Sequence, residues 1–106
     1  VGFCKVKQGK NEEAIRAYMQ AIRLRPNSYE AYNKLGDAYY YASRYYDAIE
    51  AYRRAASLRP DLAEAYYNLG MTYLEVGNKT AALAQSGLLK PLDEKLYDKL
   101  MAEIQR

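Results

Sequence analysis

The side chains that could do chemistry in this sequence are few, and their spacing suits little of it. Histidine is absent and cysteine occurs once, as Cys4. Without His the usual general base is missing, and no Ser or Cys stands at a motif spacing from a partner that would activate it as a nucleophile. A single Cys excludes an internal disulfide and a cysteine-built zinc site. Asp37 and Glu75 are the carboxylates one could pair as acid and base, but acids on a helix surface are ordinarily solvated charges. Gly9 and Gly77 fall at helix ends and not in a glycine-rich loop that opens a helix around a phosphate. The residues predict no catalysis, no metal and no cofactor. What remains is recognition, for which 13 Tyr and three Met supply the material.

Charge narrows the class of partner. Sixteen Lys and Arg against 13 Asp and Glu leave a net charge of +3, and the bases are scattered singly apart from Arg53-Arg54. A nucleic-acid arm would cluster them, so no nucleic-acid partner is expected. Half the residues are hydrophobic, yet no apolar run approaches the roughly 18 to 20 residues needed to cross a bilayer. No cleavable leader is legible. The compartment stays unassigned, with the cytoplasm slightly favoured.

The elements that must carry these side chains are set out by a repeat. Tyr32, Leu35, Gly36 and Tyr39 return 34 residues on as Tyr66, Leu69, Gly70 and Tyr73, and Pro26 returns as Pro60. Ala48 matches Ala14 and Ala82, Tyr52 matches Tyr18, Ala55 matches Ala21, and Gly2 falls in step with Gly36. A fixed period of this size marks a stacked array of one supersecondary unit. Within a unit the apolar spacing is i, i+3, i+4, i+7, one face of a helix, and it occurs twice. Short connections separate the two helices at 8–11 (QGKN) and 76–78 (VGN), where Gly tolerates a left-handed helix end. Ser43 stands at that place in the middle unit, a departure that should cost something. Asn27 with Glu30 and Asp61 with Glu64 have capping-box spacing. Gly36 and Gly70 lie in mid-helix, where the roughly 1 kcal/mol cost of Gly implies a close approach of two backbones.

In its motifs the sequence resembles the tetratricopeptide repeat family, a helix-turn-helix with aromatic-xx-Leu-Gly-xx-Tyr in the first helix and Ala-xxx-aromatic-xx-Ala in the second, then Pro. Here those are Tyr32, Leu35, Gly36, Tyr39, Ala48, Tyr52, Ala55 and Pro60. The resemblance implies an all-α fold, a right-handed α-solenoid of stacked antiparallel helix pairs. Residues 1–26 form an incomplete first repeat, 27–60 a second, and 61–92 a third that degenerates where Ser86, Leu89 and Glu94 replace the aromatic, the small residue and the proline. Pro91 should cut its second helix short. Leu92, Leu96, Leu100 and Ile104 then line one side of a C-terminal cap helix at 93–106. Cys4 falls in step with Ala38 and Thr72 and reads as a buried, inert thiol.

Such arrays curve, and the first helix of each pair lines the concave side. The resemblance therefore places a peptide-binding groove on Glu30, Asn33, Asp37, Tyr40 and Tyr41, then Glu64, Tyr67, Asn68, Met71, Leu74 and Glu75, with Phe3, Val6 and Lys7 from the incomplete unit. The aromatic, thioether and acidic mixture suits a peptide with basic character. Members of the family that clamp the acidic tail of chaperones use Lys, Asn and Arg, where this sequence has Phe3, Lys34, Glu64 and Asn68; that subclass is rejected. The implied function is a non-catalytic scaffold or adaptor for an unidentified protein or peptide. A self-association module is the first alternative, and an RNA-binding helical repeat a weaker one, since the groove carries acids. Because Val1 matches Leu35 and Leu69, the first unit lacks its opening turns. Ala14, Ile15, Tyr18, Ala21 and Ile22 should then be partly uncovered, which points to a piece of a longer chain or to pairing through the N-terminal face.

Overall fold

The computed structural model describes residues 2–106, with side chains from Asn11 onward. Among these residues it contains helices only: α1 (Gly2–Leu24), α2 (Tyr29–Tyr41), α3 (Tyr45–Leu58), α4 (Ala63–Glu75), α5 (Lys79–Leu89) and α6 (Glu94–Gln105). Neighbours in sequence are neighbours in space, and α4 additionally meets α6. The result is a slab of 36 × 35 × 19 Å, with no described helix long and apolar enough to cross a membrane.

The two turns inside the helix pairs show how period becomes geometry. Ser43 N–H and Arg44 N–H donate to the Tyr40 and Tyr39 carbonyls, and Gly77 and Asn78 repeat this with Leu74 and Tyr73. Both are Schellman ends, which need a left-handed residue at the first position beyond the cap. Gly77 adopts it at φ 79°, and Ser43 is forced into it at φ 63°. Ser43 keeps the turn of its glycine counterpart and accepts the strain, which is roughly 1–2 kcal/mol for a residue with a Cβ.

The helix starts differ from the expected boxes by one residue. Ser28, not Asn27, caps α2 and accepts from Ala31 N–H at 3.2 Å. At α4 the cap is Leu62, with no side-chain bond, because the Asp61 carboxylate is taken by Arg59 Nε at 3.1 Å. Asn78 caps α5, and Asp93 caps α6 with bonds to Lys95 and Leu96 N–H. Helices α1 and α3 stop two residues before Pro26 and Pro60, and α5 two before Pro91.

Residues 8–11 do not form a turn. Helix α1 runs through them unbroken for 23 residues. Continuing α1 through Gly9 satisfies within the helix the backbone groups that a break there would leave to caps or water. The apolar face of α1 is partly covered. Ile15 is buried, and Ala14, Tyr18 and Ile22 pack against the same core; of the five residues only Ala21 is exposed.

Mid-helix glycine makes room for a side chain rather than a backbone. A Cβ on Gly36 would lie 2.5 Å from the Tyr52 ring of α3, and one on Gly70 would lie 2.5 Å from a Leu100 methyl of α6. Since Ser86 replaces the aromatic in the third unit, the cap helix delivers Leu100 to the hollow that Tyr52 fills one repeat earlier. Leu92 precedes α6 and is exposed, while Leu96 is half-buried and Leu100 and Ile104 are buried.

Candidate functional site

Helices α2 and α4 occupy equivalent places in successive units, and their facing side chains bridge them at two levels. Asn68 Nδ2 donates to Asn33 Oδ1 at 3.2 Å, and the Tyr40 hydroxyl donates to Glu75 Oε1 at 3.2 Å. Between these bridges lies a cavity of about 170 Å³ lined by Asp37, Tyr40, Tyr41, Tyr52, Tyr67, Asn68 and Met71. Helical periodicity produces this gathering: Asp37, Tyr40 and Tyr41 are i, i+3, i+4 on α2, and Tyr67, Asn68 and Met71 are i, i+1, i+4 on α4.

Six of the expected groove residues line this cavity. Glu30, Asn33 and Glu64 instead border a second depression of about 330 Å³, with Tyr29, Lys34 and Leu62. Asn33 is buried there, so its amide is committed to Asn68. Leu74 does not line this cavity: it packs against the C-terminal core around Leu89 and Leu100, on the side of α4 that meets α6. Glu75 takes part only through Tyr40. The side chains of Phe3, Val6 and Lys7, and of Cys4, lie outside the described residues.

Tyr52 is a repeat-motif residue that the sequence did not place among the groove residues. Its ring is buried under Gly36, yet its hydroxyl emerges on the α2 side and donates to Asp37 Oδ1 at 2.5 Å. The adjacency of Gly36 and Asp37 was the available signal: a ring reaching over a residue without a side chain arrives beside the next residue's carboxylate. Tyr45 stands edge-on to Tyr40 with centroids 5.4 Å apart. Tyr46 is exposed.

The electrostatics follow from partial burial. Desolvation raises the Asp37 carboxyl above its ordinary 3.8, and Glu64 adds to the rise; the bond from Tyr52 and the charge of Lys34 oppose it. Burial, then Asp37, pushes the Tyr52 phenol far up, and burial with Glu75 pushes Tyr40 up to about 12. Both phenols therefore remain protonated donors. Because the folded pKa of Asp37 exceeds its unfolded value, its contribution to stability falls as pH rises from 3.8 through the raised value. Asp37→Asn, which keeps an acceptor for Tyr52, should raise the thermal midpoint at neutral pH and flatten its decline from mildly acidic pH. A variant less stable than wild type at neutral pH would contradict this assignment. Among the described residues no cluster of three or more His, Cys, Asp or Glu is placed to hold a metal ion.

Comparison with known proteins agrees with this geometry. The model of a family described as TPR repeat matches residues 5–42 and 36–77, more than half of the chain. The chain belongs to the tetratricopeptide repeat family. A tetratricopeptide domain of similar structure is the first TPR of Spaghetti (RPAP3), bound to the HSP90 peptide SRMEEVD, with a TM-score of 0.84, 20% identity, and 94% of this chain and 81% of that one covered. The TPR2B domain of yeast Sti1, in a complex named for pHsp70, gives a TM-score of 0.85 at 17% identity, covering 99% of this chain and 97% of that one. MamA (AMB-1) gives 0.75 at 22% identity, and the match covers 86% of this chain but 52% of the longer one. At these identities the likeness is one of fold. A comparison with curated proteins returns no match. The tetratricopeptide assignment accounts for the 34-residue period, the paired helices and the place of α6 beyond the last pair.

Proposed function

We infer that this tetratricopeptide chain is a non-catalytic protein–protein interaction module that holds a peptide or protein segment in the groove between α2 and α4. The observation that carries this reading is the aromatic cavity itself, where Tyr40, Tyr41, Tyr67 and Met71 stay partly open to solvent around Asp37 and Asn68. An array that needed only to stack would have no reason to leave four large side chains around an open hollow; amphipathic rings with a thioether form an adaptable contact surface. Peptide-bound tetratricopeptide relatives support the class of ligand. The ligand itself differs from theirs, since Glu64 on this face would repel an acidic tail such as SRMEEVD.

Tyr41 is the cleanest probe, because at 66% exposure its removal costs the fold little. Tyr67 packs against the C-terminal core as well, so its loss would mix stability with binding. Tyr41→Ala should weaken binding of a partner captured from cell extract by roughly 1–2 kcal/mol with an unchanged thermal midpoint. Replacing Arg53 and Arg54 with Ala on the exposed side of α3 should leave affinity unchanged. Calorimetric titration of the identified partner tests both, and a larger loss from the arginine pair would move the binding surface to the other side.

A further inference from the structure

We propose that the cavity between α2 and α4 takes the cationic head of a Lys or Arg side chain, so that the partner is a basic peptide segment. The inference rests on the groove reading above and specifies its ligand. Size is the first consideration. About 170 Å³ is well below the roughly 300 Å³ at which drug-sized ligand pockets begin, and it suits one long side chain. Charge is the second. The chain carries +3 overall, yet the α2–α4 face gathers Glu30, Asp37, Glu64 and Glu75 against Lys34. An anionic ligand would meet repulsion there. An apolar one would complete the desolvation of Asp37 without compensating its charge, which is costly for a carboxylate.

The groups present are those a cation uses. Tyr52 occupies Asp37 Oδ1, and no described Lys or Arg comes within salt-bridge distance of Asp37, so Oδ2 is available to a guanidinium or ammonium donor. The Tyr40 and Tyr41 rings stand at 86° with centroids 5.6 Å apart, two walls at a right angle. Tyr67 and Met71 form the opposite wall from α4. Aromatic faces attract a cation within about 6 Å of the ring centroid, and a desolvated site strengthens the attraction. The Tyr40 hydroxyl, engaged by Glu75, is held away from competing as a donor to Asp37. A long aliphatic stem would lie along Met71 while its head reaches the carboxylate.

Selection from a display library of random 12-residue peptides on the 106-residue chain tests this. Peptides whose binding is lost in Tyr41→Ala are retained as groove binders and sequenced. The expected result is enrichment of Lys or Arg at one fixed position. Replacing that residue with Ala or Glu should weaken binding by roughly tenfold or more, the scale of a hydrogen bond to a charged group. Asp37→Asn, which keeps the Tyr52 acceptor, should abolish the preference for the base while its circular dichroism matches wild type. Asp37→Lys should favour Asp or Glu at the same position. Groove binders with an acidic or apolar residue there, or an undiminished basic preference in Asp37→Asn, would overturn the proposal and leave the groove reading standing. Selected peptides indifferent to Tyr41→Ala, or no selected peptides at all, would overturn both.

Discussion

Leu100→Ala should lower stability by about 2–5 kcal/mol, with the loss concentrated at the C-terminal end. Leu100 is fully buried, and its side chain fills the hollow over Gly70 that the third unit's own second helix leaves vacant. Ser86 stands there in place of an aromatic and donates to the Leu83 carbonyl inside its own helix. Removing Leu100 therefore opens a cavity that α5 has no side chain to fill. In a stacked array each unit is stabilised by its immediate neighbours, so the damage should stay local. Hydrogen exchange should show faster opening of α5 and α6, with the protection of α2 and α3 retained. Equal loss of protection from α2 to α6 would mean that the cap is not energetically separable from the middle of the array.

Tyr52→Ala should cost about 3–5 kcal/mol, the scale for deleting a large buried aromatic, and it should reverse the effect of a second change. Tyr52 is 2% exposed, with its ring over Gly36 and its hydroxyl tied to Asp37. Three of its ring atoms lie 2.5–2.9 Å from where a Cβ on residue 36 would be. In the wild-type background Gly36→Ala must displace a rigid, anchored ring, and it should destabilise by about 1–3 kcal/mol. With Tyr52 already truncated the obstacle is gone, and the same change should stabilise by up to about 1 kcal/mol through helix propensity. Gly70→Ala should be milder than Gly36→Ala, because the atoms in its way are the mobile end of Leu100. A double-mutant cycle in urea supplies the four stabilities, and additivity of the Gly36 and Tyr52 changes would refute the contact as its cause.

These contacts separate what could be read from residues in order from what could not. The period, the pairing of helices, their ends at Pro26 and Pro60 and the stripe of Asp37, Tyr40 and Tyr41 are local matters. Each depends on residues within one or two turns of each other, and a 3.6-residue period places them on a face whatever surrounds them. The cost at Ser43 was legible too, since the 34-residue period places it opposite Gly77, but that it keeps the left-handed turn was not. The caps of α2 and α4 slipped by a residue, because whether Asp61 caps a helix or pairs with Arg59 is a competition that spacing does not decide.

What tertiary structure alone decided are the questions of occupancy. Glycine at 36 and 70 announces that something comes close, but the identity of the visitor depends on elements 16 and 30 residues away, Tyr52 in one case and Leu100 in the other. Gly9 permits a turn and a helix equally, and only the structure shows α1 running through it unbroken. Leu74 carries the spacing of a groove residue and packs, partly buried, against the core that α6 completes. A stripe on a helix has no intrinsic inside: it becomes core or binding surface according to which neighbour arrives to cover it, and that is a property of the assembled array.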